Sequence, residues 1–143
     1  AIGADSGKNL SSGGMNTSLG FQNLYSNAGG TNNVSVGAYT LEDATASYNT
    51  AVGSKSAKEI IGGQYNIALG YESGDNITTG DGNVIIGSVD AGSATGDRQL
   101  MITGYDGSTT TTWISGESTG NTEIAVNWNP SLSTTGKAFV MGF

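Results

Sequence analysis

The sequence predicts an all-β chain built by stacking, and three observations carry that expectation. Six glycines (Gly3, Gly20, Gly37, Gly53, Gly70 and Gly87) recur at intervals of 17, 17, 16, 17 and 17 residues. Five of them close one pentapeptide: Asn16-Thr-Ser-Leu-Gly20, Asn33-Val-Ser-Val-Gly37, Asn49-Thr-Ala-Val-Gly53, Asn66-Ile-Ala-Leu-Gly70 and Asn83-Val-Ile-Ile-Gly87. Glycine accounts for 24 of 143 residues against a single proline, and only 12% are charged. A unit this short cannot enclose a core of its own. Each must be one coil of a narrow parallel β-roll, a β-solenoid.

Read from its asparagine, the coil begins with a strand. Residues one and three before the glycine are Leu19/Thr17, Val36/Val34, Val52/Thr50, Leu69/Ile67 and Ile86/Val84, and between them stand Ser18, Ser35, Ala51, Ala68 and Ile85. Period-two alternation with β-branched enrichment is the strand signal. The glycine then permits a sharp turn or a close backbone approach. Four residues on runs a small or apolar column (Gly7, Leu24, Leu41, Ala57, Gly74, Ala91), and seven on a second (Leu10, Asn27, Ala44, Ile60, Ile77, Ala94). A turn rich in Gly, Ser and Thr closes the coil, as in Ala28-Gly29-Gly30 and Thr78-Thr79-Gly80. The coil is predicted as strand, turn, short strand, turn. At a rise of about 4.8 Å per coil, six coils measure on the order of 30 Å.

The in-register Asn16, Asn33, Asn49, Asn66 and Asn83, with Gly20, Gly37, Gly53, Gly70 and Gly87, are expected to form a structural ladder, its amides bonded to the coils above and below. A row of ligand-binding amides is the alternative. Both faces of the pentapeptide strand are small or apolar. Either small residues merely suit tight packing within the roll, or one face packs on identical faces of neighbouring chains, added burial that a small domain needs.

The repeat then decays. Gln99-Leu-Met-Ile-Thr103 substitutes Gln for Asn and Thr for Gly. Residues 1–103 are therefore assigned to the β-roll and residues 104–143 to a β-rich capping or transition segment. The latter contains an aromatic strand around Trp113, an alternating stretch through Ile124, Val126 and Trp128, and a closing Lys137-Ala-Phe-Val-Met-Gly-Phe143. Ala1-Ile2-Gly3 reads as the end of a pentapeptide. The chain is expected to start in mid-coil as a piece of a longer protein, and to continue, or to be buried against partners, after Phe143.

Net charge is −7, and the five basic residues (Lys8, Lys55, Lys58, Arg98, Lys137) are scattered singly. Nucleic-acid binding through phosphates is not expected. Nor is membrane insertion, since no run of about 18 apolar residues occurs. Without cysteine there is no disulfide scaffold. Without histidine or cysteine the usual general base and thiolate are missing, and no Gly-x-Ser-x-Gly elbow appears. Catalysis would have to rest on carboxylates such as Asp75, Asp81, Asp90 and Asp97, which stand in or near turns, where acids most often serve solvation. No enzymatic activity and no cofactor are expected. Asp75-Asn76 and Asp81-Gly82 could offer oxygens to Ca²⁺ but lack the register of calcium-binding rolls, so no metal is expected either. Asn16, Asn33 and Asn76 head glycosylation sequons, two of them on ladder residues. If exposed aromatics contact a glycan, Tyr25, Tyr39, Tyr71 and Trp113 are the candidates.

The Asn-x-Ala-Val/Leu-Gly units resemble the short repeats of trimeric autotransporter adhesin heads, and the same units occur in bacteriophage tail fibres and other virion fibres. The stretches Arg98-Gln-Leu-Met-Ile-Thr-Gly104, Thr112-Trp-Ile-Ser-Gly-Glu-Ser-Thr-Gly-Asn121 and Asn127-Trp-Asn-Pro-Ser131 look like those that follow such a roll in phage fibre proteins. The resemblance implies a left-handed roll, a homotrimer around a threefold axis, and an intramolecular chaperone domain further downstream. It points to a structural segment of a virion tail fibre, extracellular, supporting host attachment alongside other fibre or baseplate proteins and a host surface glycan or receptor. The alternatives are a bacterial cell-surface adhesin head that binds host matrix or glycans, and a fibre-borne carbohydrate-active enzyme, which needs two acids roughly 5–10 Å apart in a cleft.

Overall fold

The computed structural model describes residues 1–117 and 122–123; the expectations placed on Ile124, Val126, Trp128 and the closing segment lie outside them. The described chain is an all-β solenoid of about five turns with mostly parallel strands. Its strands are β1 (Thr17–Leu19), β2 (Val34–Val36), β3 (Thr50–Val52), β4 (Ile67–Leu69), β5 (Val84–Ile86), β6 (Leu100–Tyr105), β7 (Thr110–Gly116) and β8 (Thr122–Glu123). They form one sheet in sequence order, parallel from β1 to β6 and antiparallel from β6 to β8. The register pairs like with like: Ser18 with Ser35, Ser35 with Ala51, Ala51 with Ala68, Ala68 with Ile85. Ile2 continues the pattern below β1 through a parallel bridge to Leu19.

The recurrent glycine follows from the stacking distance. At Gly20, Gly37, Gly53 and Gly70, φ lies between 132° and 139°, a region that L side chains rarely adopt. A Cβ on Gly20 would stand 2.2 Å from the carbonyl oxygen of Gly37. Backbone passes directly over backbone at every coil.

The middle residue of each strand points inward. Ala51, Ala68 and Ile85 join Leu24, Leu41, Ala44, Ala57, Ile60 and Ile77 in one core running the length of the roll. Volumes compensate along it. Where the strand carries Ile85, the facing column carries Gly74, whose missing Cβ would lie 3.3 Å from Ile85 Cγ1.

The structure differs from the sequence reading in the second leg, which is no strand. Gln22, Leu24, Tyr39, Leu41, Lys55, Ala57 and Glu72 all have left-handed φ, between 47° and 58°, so the leg is a run of turns. It still bonds coil to coil, as in Leu24 N–H to Thr40 O at 3.1 Å and Ala57 N–H to Ser73 O at 2.9 Å.

The parallel pattern ends where its glycine does. Thr103 stands in the glycine position, and β6 continues through it to Tyr105, with a shift of register against β7 between Ile102 and Thr103. A hairpin follows, with Gly107 at φ 97° and Asp106 Oδ1 accepting the N–H groups of Ser108 and Thr109 at 2.9 and 2.8 Å. The chain then returns antiparallel as β7.

Candidate functional site

The asparagine column is a continuous chain of hydrogen bonds. Oδ1 of Asn16, Asn33, Asn49 and Asn66 accepts the main-chain N–H of the next asparagine at 2.9, 2.9, 3.0 and 2.9 Å, and Asn83 does the same for Gln99 at 2.8 Å. Nδ2 of Asn33, Asn49 and Asn66 reaches a carbonyl of the turn that closes its own coil, at Ala46, Gly63 and Gly80, all at 2.9 Å. Direct amide-to-amide bonds appear only higher up, from Asn66 to Asn49 at 3.1 Å and Asn83 to Asn66 at 3.0 Å. Asn33, Asn49, Asn66 and Asn83 are buried, and their polar atoms are committed to the stack.

A second polar column escaped the sequence reading. Asn23, Ser56 and Ser73, three residues after the glycine, donate to the carbonyl of the middle strand residue of the next coil: Ser35, Ala68 and Ile85, at 3.1, 3.0 and 2.9 Å. Their spacing from Gly20, Gly53 and Gly70 was the available signal.

The strands' other face is apolar and turned outward. Ile2, Leu19, Val34, Val52 and Ile67 are 71, 46, 36, 39 and 40% exposed. With Val36, Leu69, Val84 and Ile86 half-buried beside them, they make an aliphatic strip along the roll, in which Thr17 and Thr50 are the polar members.

The four candidate glycan-contact aromatics do not converge. Tyr25 lies under Lys8, 5.5 Å from its ring centroid, and Tyr39 meets Phe21 edge-on at 5.3 Å. Tyr71 bonds Glu72 Oε1 at 2.7 Å while Lys55 pairs with the same oxygen at 2.7 Å. The Lys55 hydrogen bond, then that of Tyr71, holds the Glu72 carboxyl below its usual range. Trp113 is exposed on the hairpin and passes over Gly104, where an added Cβ would meet Cζ2 at 2.4 Å. A different pair is the better-built one. Tyr48 and Tyr65 are stacked with centroids 4.9 Å apart and planes 7° from parallel. Both immediately precede a ladder asparagine, and that shared position could have revealed them.

The turn acids divide into two kinds. Asp81 Oδ1 accepts Gln64 N–H at 2.7 Å and Asp97 Oδ1 accepts Asp81 N–H at 2.9 Å, so these carboxylates stitch successive turns. Asp75 is half-buried. Burial first, then a hydrogen bond and the charge of Asp90, with Glu72 and Glu59 adding repulsion, pushes its carboxyl up to about 6 from an ordinary 3.8. Between those values the folded chain holds a proton that the unfolded chain releases, so stability falls as pH rises through the window. Melting temperature is expected to decline from pH 4 to 6, and Asp75→Asn to flatten the decline; an unchanged slope in the variant assigns it to other groups. Asn76 is engaged with Ala91 through both amide atoms, at 2.9 Å each. Among the described residues no three acids gather as metal ligands, and no helix is long and apolar enough to cross a membrane. No protein-family model, curated protein or solved structure matches the chain.

Proposed function

We propose that this chain is a structural segment of a virion appendage, a tail fibre in which three copies pack their aliphatic strips around a common axis. One observation carries the reading: each 16- or 17-residue coil adds outward Leu, Val or Ile to the same sheet face, and that face is bare in the single chain. Water-exposed aliphatic strips of this kind mark interaction surfaces. Each such side chain gains on the order of 1 kcal/mol or more when covered. A threefold arrangement buries all copies of the strip equivalently, closes on itself and leaves the acidic exterior in solvent. In this reading the roll is left-handed, the antiparallel hairpin after Thr103 begins the cap of the rod, and the segment holds a receptor-binding element away from the particle, outside the host cell.

Sedimentation equilibrium on the purified chain is the test, with a three-chain mass expected. Ile67→Lys places three cations at the axis and is expected to yield monomer. A wild-type monomer at all accessible concentrations overturns the reading. The setting is checked independently by the neighbouring genes, where tail or baseplate genes are expected.

A further inference from the structure

The position immediately before the ladder asparagine, or before Gln99 in its place, is occupied, coil by coil, by Met15, Asn32, Tyr48, Tyr65, Gly82 and Arg98. All six have left-handed φ, between 52° and 66°. Five of the coils carry a side chain in that conformation, so the backbone does not demand glycine at 82. Packing does not demand it either: a Cβ there would meet Arg98 Cγ at an ordinary 3.6 Å. The effect of Gly82 is to interrupt the column. Tyr48 covers one face of the Tyr65 ring, Gly82 brings no side chain to the other, the Arg98 stem is the nearest group over Gly82, and Tyr65 is 61% exposed.

The residues next to Gly82 in its own coil and in the following one are polar: Asp81, Asp97 and Arg98. Asp81 and Asp97 each commit Oδ1 to a main-chain N–H, and their second oxygens make no bond among the described residues. Arg98 is exposed and pairs with no carboxylate among the described residues. We propose that the gap is a binding slot for one neutral pyranose of a saccharide, stacked on the open face of Tyr65 and held at its rim by Arg98 and the free oxygens of Asp81 and Asp97.

The chemistry selects this occupant. The missing side chain takes one layer of about 4.8 Å out of the column between Tyr65 and Arg98, which suits a ring with an apolar C–H face. Ring hydroxyls both donate and accept, and the rim supplies both complements. Two carboxylates against one guanidinium leave the rim net negative, which disfavours uronic acids, sialic acids and nucleotides. The proposal rests on the fibre reading only for the source of the sugar, a host surface; the slot itself belongs to a single chain.

The test titrates the whole 143-residue chain with methyl glycosides of neutral hexoses and N-acetylhexosamines, read by saturation-transfer NMR and calorimetry, with sedimentation in parallel. Binding is expected, weakened at least about tenfold by Tyr65→Ala and by Gly82→Tyr, which fills the slot while removing no contact group; tenfold is about 1.4 kcal/mol, the scale of an aromatic contact. Tyr65→Phe keeps the stacking face and is expected to bind within about twofold of wild type, showing that the column still folds. Failure of every neutral glycoside, or binding that survives Gly82→Tyr, overturns the slot. A trimer that binds no glycoside sinks the slot alone, and a monomer that binds one sinks the fibre reading alone.

Discussion

Gly53→Ala is expected to cost several kcal/mol and to remove cooperative unfolding at ambient temperature. Gly53 sits at φ 132°, and its new Cβ would lie 2.1 Å from the carbonyl oxygen of Gly70 and 2.6 Å from its carbon. Neither neighbour is a flexible side-chain tip. Gly70 is tied to the previous coil through its own N–H, which reaches Val52 O at 2.8 Å, so relief requires opening the ladder on both sides. Strained backbone of this kind costs about 1–3 kcal/mol before the clash is counted, and a total of about 3–5 kcal/mol rivals the whole stability of a small domain. Gly14→Ala is the control: nothing lies within 4 Å of its Cβ position, and a change of at most about 0.5 kcal/mol is expected. Denaturant titration compares the two, and equal midpoints would remove the close-approach explanation of the glycine column.

Asn66→Ala ranks second. Truncation orphans the Gly80 carbonyl and the Asn83 main-chain N–H, which Asn66 serves at 2.9 Å each, in a place where Asn66 and Asn83 are 1% and 0% exposed. Each stranded group costs about 1–3 kcal/mol, so a loss of about 2–5 kcal/mol is expected. Asn16→Ala removes the same bonds at a half-buried rung, where water can substitute, and should cost distinctly less. A thermal melt in which the two variants match would mean that the ladder's energy is independent of burial, contrary to the desolvation argument.

The coil period, the strands and the two apolar columns were legible because glycine spacing and β-alternation leave a direct trace in residue type. The direction of the strand was not. Ser35 or Val36 could equally have faced inward, and the small residue won because the roll is too thin to house two opposed aliphatic rows. The second leg was misread for a related reason. Leu24 and Leu41 are poor residues for a left-handed backbone, yet complete burial and coil-to-coil hydrogen bonds override that preference. Ser56 and Ser73 look like turn solvation in sequence, and only the fold brings a strand carbonyl above each hydroxyl. Tyr48 and Tyr65 went unremarked because the aromatics were judged singly rather than by their place in the coil.

Because every coil binds its successor through equivalent main-chain groups, the length of such a rod is quantised. Duplicating one complete unit, from one asparagine to the next, presents the same donors and acceptors at both cut ends and extends the molecule by a single increment. Inserting half a unit sets a left-handed leg over a strand, so the main-chain donors and acceptors fall out of step and propagation halts at that point. Evolution can therefore tune reach by copying whole segments, a mode of variation closed to proteins whose cores are assembled from distant parts of the chain.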